Sequence, residues 1–367
     1  MVGELNEGNK VVALFGARQT GKTTLSDELL ESLEGKILKV NADESRYIEV
    51  LSSRNFDTMN LLIDDADVLF IDEAQQIPEI GINLKIIKDR LPGLKILVTG
   101  SSSFELADRI KEPLTGRMST HTLFPVSLME LRKHFSIFDI QNHLEEYMVY
   151  GMYPELFSYN SVTKKERYLR ELASSYLFKD IFKISGIRNK KVITDLLKLL
   201  AFQAGSEVSL NELANALKIS QETVNNYIDL LEQTFIVFRL GGFSKNLRKE
   251  ISKRDKIFFW DDGIRNMLIN NFSMPDMRMD TGMLWENFMV SERLKYLSYT
   301  GNYSESYFWR TYTGAEVDYV EERNGELYAW EIKYKKARKK PPATWAENYG
   351  NNFNCITRDN FWEFVIE

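Results

Sequence analysis

Five consecutive apolar residues, Val11-Val12-Ala13-Leu14-Phe15, run directly into Gly16-Ala17-Arg18-Gln19-Thr20-Gly21-Lys22-Thr23, and a helical pattern from Thr23 to Leu33 follows. No other stretch constrains the fold of this chain as tightly. The eight residues fit G-x-x-x-x-G-K-[ST], a pattern whose physical meaning depends on a strand before it and a helix after it. Loop amides and the helix N-terminus then converge on one spot, where the helix dipole favours negative charge. Residues Gly16 to Thr24 are therefore expected to cradle the phosphates of ATP. Lys22 would reach the β- and γ-phosphates, and the Thr23 hydroxyl would ligate Mg²⁺.

Three further apolar runs, Lys36 to Val40, Val68 to Ile71 and Lys95 to Thr99, read as buried strands with helical patterns between several of them. That alternation predicts an α/β fold, a P-loop NTPase parallel sheet with helices on both faces, up to about Phe124. The second of these runs ends in Asp72-Glu73. Asp72 would hold Mg²⁺ through water, and Glu73 would orient and activate the attacking water, so hydrolysis is the expected chemistry. The third ends in Thr99-Gly100-Ser101-Ser102-Ser103. Hydroxyls at a strand tip suit a contact to the γ-phosphate or its attacking water, and they suit an ordinary loop turn equally.

These motifs, with Ile71-Asp72-Glu73-Ala74-Gln75 and with Leu114-Thr115-Gly116-Arg117 before Phe124-Pro125-Val126-Ser127, resemble a prokaryotic family of AAA-type (AAA+/STAND-like) P-loop ATPases. The family carries a winged-helix segment and a C-terminal domain with a restriction-endonuclease-like fold. The resemblance implies a sheet with the P-loop strand between the strand ending near Ser101 and the last core strand. It implies a sensor at Ser101 or a neighbour. It also implies a γ-phosphate-sensing arginine at Arg117, acting in its own subunit or offered to a neighbour in a homo-oligomer. A surface arginine with no nucleotide role is the competing reading of Arg117.

The 367 residues suffice for two or three domains, placed at 1–124 (ATPase core), 125–244 (helical lid and winged helix) and 245–367. No apolar run reaches the ~18 residues of a membrane span, and no signal-peptide core follows the N-terminus. A single cysteine, Cys355, excludes an intrachain disulfide and fits a reducing, cytoplasmic setting. Net charge is −6, which argues against a surface coated with nucleic acid, although residues 241–340 hold 18 Lys and Arg against 15 Asp and Glu. His121, His134 and His143 lack metal-ligand spacing.

In the middle segment, Ser209 caps a helix beginning Leu210-Asn211-Glu212, Leu217-Lys218-Ile219-Ser220 turns, and Ser220 caps a second helix to Leu231. Phe235 to Gly242 would supply a wing, with Leu210, Leu213, Leu217, Val224 and Leu231 as core. The would-be recognition helix has no Lys or Arg near its start, and Asp229 and Glu232 make its end acidic. Phosphate contacts supply most DNA affinity, so a structural role is favoured for it.

The last segment pairs Ala315 to Val320 with Glu326 to Tyr334 around Asn324-Gly325, a hairpin signal, after a strand at Ser306 to Arg310 and a helix from Leu284 to Tyr296. Glu331 and Lys333 leave one face of their strand, and Asp318 lies on the partner strand. Asp318 and Glu331 would bind Mg²⁺, with Lys333 orienting water or steadying the transition state. The pattern resembles the D…E-x-K signature of restriction-endonuclease-like nucleases, and Glu286 matches the helix acid that some of them add. Two functions follow. In one, ATP state controls a Mg²⁺-dependent nuclease acting on DNA. In the other, ATP drives a regulatory switch or assembly, and the C-terminal domain only binds nucleic acid or protein. The aromatics from Tyr299 to Tyr312 read as strand and core residues rather than a base-stacking platform.

Overall fold

The computed structural model describes residues 1–101, 114–173, 190–244, 254–302, 304–335 and 340–366. Ser102 and Ser103 of the third strand's tip lie outside these residues. The chain divides into two units, the first comprising residues 1–124 with 233–235, the second residues 125–232 and 236–367.

The first unit is built on five parallel strands, β1 (Val11–Phe15), β2 (Ile37–Asn41), β3 (Val68–Asp72), β4 (Lys95–Gly100) and β5 (Met118–Thr122), in the order β2-β3-β4-β1-β5. The P-loop strand thus lies between β4 and β5, as the resemblance implied. Side chains alternate along a strand, so a sheet covered on both sides needs apolar residues at every position. Val11, Ala13 and Phe15 join Leu69, Ile71, Ile96 and Val98 in one core, whereas Val12 joins Val68, Phe70 and Leu97 in another. Helix Lys22–Glu31 covers the second face through Leu29 and Leu30. Helices Phe56–Ile63 and Ile80–Arg90 cover the first through Met59, Ile63, Leu84 and Ile87.

The second unit contains a mixed six-stranded sheet, order β11-β10-β9-β8-β6-β7, from β6 (Val237–Gly242), β7 (Lys256–Phe259), β8 (Glu305–Arg310), β9 (Glu316–Arg323), β10 (Glu326–Ile332) and β11 (Phe353–Ile356). Strands β8, β9 and β10 form an antiparallel meander, and β11 runs parallel to β10 after helix Ala343–Tyr349. Helix Thr281–Thr300 packs Leu284, Trp285 and Phe288 against Phe308, Tyr319, Trp330 and Ile332. Because β6 hydrogen-bonds to both β7 and β8, residues on either side of position 244 share one sheet.

Ahead of β6 lie helices Lys190–Phe202, Leu210–Leu217 and Gln221–Gln233. Leu213, Val224 and Leu231 are buried in their common core, with Leu210 and Leu217 packed at its margin. Ser209 and Ser220 cap the last two helices by accepting from Glu212 N and Thr223 N. The acidic end of the last helix is not free. Arg239 on β6 pairs with Asp229 at 2.7 Å and with Glu232, so these carboxylates have an internal counter-charge that sequence spacing did not reveal.

Candidate functional sites

The loop after β1 has the shape a phosphate site requires. Gly16 passes so close to the backbone that an added Cβ would sit 2.1 Å from the Leu123 carbonyl oxygen, a gap only glycine tolerates. Gly21 (φ +96°) starts helix Lys22–Glu31 from a left-handed conformation. The Lys22 ammonium is buried and donates to the carbonyls of Gly16 (3.0 Å) and Ala17 (2.9 Å), while the Thr20 hydroxyl donates to Ala17 O at 2.9 Å. These contacts tie Lys22 and Thr20 to the carbonyls of Gly16 and Ala17. Within the loop Arg18 is half-buried and Gln19 exposed, and Thr23 and Thr24 are exposed on the first turn of the helix.

The tips of β3 and β4 meet the start of this helix. Thr23 Oγ1 lies 3.5 Å from Asp72 Oδ2. Both are hard oxygen donors on one side of the loop, so the hydroxyl could ligate Mg²⁺ while the neighbouring carboxylate holds the ion's water. Thr99 donates to Asp72 Oδ1 and accepts from Glu73 N at 3.2 Å. Glu73 itself has a left-handed backbone (φ 55°), strain of a kind often found at functional sites. Its carboxylate is held by Gln75 Nε2, which also donates to Ser101 Oγ at 3.0 Å. Ser101, expected as a sensor, is therefore linked to the expected base through Gln75. The sequence motif contained Gln75 without a role for it, and the Thr99–Asp72 bond had no counterpart in the sequence reading. An amide two residues after a strand-tip carboxylate was the available signal.

Arg117 lies elsewhere. It precedes β5, whose first residue Met118 pairs with Val11, and Arg117 O accepts from Val11 N. Because β1 runs from Val11 towards Gly16, Arg117 sits at the opposite edge of the sheet, about 16 Å of strand away at 3.3 Å per residue. Its guanidinium pairs with Asp89 at 3.2 Å. The expectation that it senses γ-phosphate within its own subunit is thereby corrected.

In the second unit, the hairpin register of Trp330 opposite Tyr319 carries Asp318 to Glu331 and Lys333. Lys333 Nζ lies 2.9 Å from Asp318 Oδ2 and 3.1 Å from Glu331 Oε1, and Ile332 N donates to Asp318 Oδ2 at 2.7 Å. Burial opposes the charge on Lys333, but the two carboxylates raise its pKa well above the usual lysine value. Both carboxylates are buried, whereas the lysine side chain is 44% exposed. The oxygens are the hard donors Mg²⁺ prefers, and the exposed Lys333 can yield its place between them to the ion.

Glu286, on helix Thr281–Thr300, joins this group through a residue the sequence reading missed. Lys256 on β7 is 3% exposed and sits 2.9 Å from Glu286 Oε1 and 2.8 Å from Glu316 Oε1. Burial, with nearby Asp318 and Glu316, pushes the Glu286 carboxyl up to about 7 despite Lys256. Lys256 follows a basic stretch and reads in sequence as one more surface charge. Among the described residues no three His, Cys, Asp or Glu side chains form a ready metal cluster, and these acids face ammonium groups.

Residues 8–132 match a family model described as "AAA domain". Residues 141–274 and 281–349 match "Domain of unknown function (DUF8612)" and "Domain of unknown function (DUF4143)". The chain is 28% identical over 329 residues to "Uncharacterized protein Rv2008c" of Mycobacterium tuberculosis, covering 88% of this chain and 70% of the relative. It is 25% identical over 331 residues to "Uncharacterized protein MJ1544" of Methanocaldococcus jannaschii, covering 85% and 72%. A crystal structure titled as a DNA replication initiation factor aligns over 63% of this chain and 85% of its own, at 18% identity and a TM-score of 0.26. No described helix is long and apolar enough to cross a membrane. The loop geometry, the strand order and the family match agree that the first unit carries an AAA-type P-loop ATPase domain.

Proposed function

We propose that this chain hydrolyses ATP with Glu73 as the base that orients water, and that its nucleotide state controls a Mg²⁺-dependent nuclease site on DNA built from Asp318, Glu331 and Lys333. The observation that carries the second half is the convergence of Asp318 and Glu331 on the Lys333 ammonium, at 2.9 and 3.1 Å, from two strands of a hairpin. The order helix, three-stranded meander, helix, parallel strand (Thr281–Thr300, β8–β10, Ala343–Tyr349, β11) supports a restriction-endonuclease-like fold for this part. The three helices and the β6–β7 hairpin support a winged-helix reading of the segment before it. When bound, Mg²⁺ would neutralise phosphate charge and lower the pKa of a bound water at either site. Thr23 and Asp72 would hold it at the first, and Asp318 and Glu331 at the second.

The residues have separable tasks. Lys22, released from the loop carbonyls, steadies the terminal phosphates, and Glu73 accepts the proton of the attacking water. Thr99 fixes Asp72, and Ser101 with Gln75 ties the base to the γ-phosphate position. Lys333 offers its charge to the phosphodiester. Arg117, being far from its own P-loop, would serve only a neighbouring copy, which makes a homo-oligomer part of this reading.

The test incubates the pure chain with linear, circular and single-stranded DNA in Mg²⁺ or Mn²⁺, with and without ATP, beside Asp318→Ala and Lys22→Ala. Cleavage should vanish in Asp318→Ala and lose its ATP dependence in Lys22→Ala. Undiminished cleavage by Asp318→Ala removes the assigned site. ATP-dependent binding with no cleavage favours the alternative reading, a switch whose C-terminal part only binds. The ammonium groups already opposite all four acids are the observation on that side.

A further inference from the structure

Beside the acidic cluster, a cavity of about 400 Å³ opens between the end of β8, the turn that follows it and the residues just before β7. Its floor is the Phe308 ring, over which the Lys256 ammonium lies 5.3 Å from the centroid. Arg254, Arg310, Thr311 and Tyr312 line it, together with the Glu207 carboxylate. Arg310 reaches towards the cluster, 4.0 Å from Glu316, and also pairs with Glu207 at 3.1 Å. Since Glu316 and Glu286 share Lys256, the cavity adjoins the carboxylates one side chain from its floor.

Tyr312 distinguishes this cavity from a chance depression. Neighbouring aromatics are core residues, with Phe308 at 2% and Trp309 at 5% exposure, but Tyr312 is fully exposed at 105%. Keeping a whole aromatic face in water forgoes the burial that its neighbours obtain. Arg254 makes no ion pair among the described residues. An open ring and two guanidiniums around a nucleotide-sized space match a base and its phosphates.

We propose that this cavity binds single-stranded nucleic acid, with an unpaired base stacked on Tyr312 and phosphates on Arg254 and Arg310, leading the strand towards Asp318 and Glu331. The strand's direction rests on the nuclease reading above; the binding does not. A duplex is disfavoured on two grounds. Its bases are already stacked and cannot lie on Tyr312, and two arginines offer too few contacts for the phosphates of two strands. Stacking needs no sequence code, so DNA and RNA strands share the site.

Fluorescence anisotropy tests this without cleavage, in EDTA and without ATP. The probes are fluorescein-labelled oligo-dT and oligo-rU of about 12 nucleotides and a duplex of equal length. The wild type should bind both single strands more tightly than the duplex. Tyr312→Ala should weaken single-strand binding by roughly 5-fold or more, and Tyr312→Trp should retain it. Arg254→Ala should flatten the log–log salt dependence by about 0.7. Tyr312 is fully exposed, so its replacement leaves the fold intact. A wild type that ignores single strands, an unchanged Tyr312→Ala, or an equal loss on duplex and single strand would each overturn the proposal. Single strands bound through Tyr312 but never cut in Mg²⁺ would sink the nuclease reading and leave this one standing. Tighter binding of dT or rU assigns the natural strand within it.

Discussion

Lys256→Met removes the most deeply placed cation of the acidic cluster and keeps most of the side chain's volume. In the wild type this ammonium is 3% exposed and lies within 2.9 Å of Glu286 and Glu316. Breaking a buried pair by deleting one partner costs about 3–5 kcal/mol. Glu316 is 31% exposed and keeps part of its hydration, so the lower end, about 3 kcal/mol, is expected near pH 8. The pH dependence follows from Glu286. Its folded pKa is raised from the ordinary 4.5 to about 7, so between those values the folded chain holds a proton that the unfolded chain has lost. Its contribution to stability is complete below 4.5 and falls as pH rises towards 7. Without Lys256 the folded pKa climbs further and the fall continues to higher pH, at up to about 1.4 kcal/mol per unit. At pH 5.5 Glu286 is neutral in both proteins, and the difference between them shrinks. All six tryptophans, Trp260 to Trp362, lie in the second unit, so urea unfolding followed by tryptophan fluorescence reports on it. A loss equal at pH 5.5 and pH 8, or below about 1 kcal/mol at pH 8, would refute the buried-pair reasoning.

Three other substitutions probe the first unit. Glu73→Gln should keep nucleotide affinity and lower the ATPase rate by about 10²-fold or more, read by phosphate release; a rate near wild type removes the assigned base. Gly16→Ala places a methyl carbon 2.1 Å from Leu123 O and should abolish binding of a fluorescent ATP analogue, so retained affinity would show that the loop adjusts. Arg117→Ala should leave that affinity unchanged, because the residue occupies the far edge of the sheet, whereas any loss of hydrolysis should appear only where the wild-type rate rises with protein concentration.

Local pattern carried much of this molecule. The four strand readings of the first third fall on β1 to β4 to within a residue, because each was a short apolar run that a doubly covered sheet demands. The P-loop was legible for a related reason, since its glycines, lysine and threonine act within nine residues of backbone. Asp318, Glu331 and Lys333 could be grouped because a hairpin register is set by its turn and by the period of a strand. Contacts between distant elements left no such trace. The Thr99–Asp72 bond joins adjacent strands 27 residues apart in sequence, and Lys256 meets Glu286 across 30 residues. Arg239 silences an acidic helix end from the next strand, which composition alone had counted as exposed charge.

Sequence by itself therefore determined the phosphate loop, the strand-tip carboxylates and the hairpin acids, because each is written in consecutive residues whose backbone period dictates where side chains point. Only tertiary structure decided that Arg117 lies far from its own loop, that Lys256 is buried against Glu286 and that Tyr312 stands in water. Those outcomes depend on which ends of which strands become neighbours, and burial there sets the balance between charge, solvation and pairing.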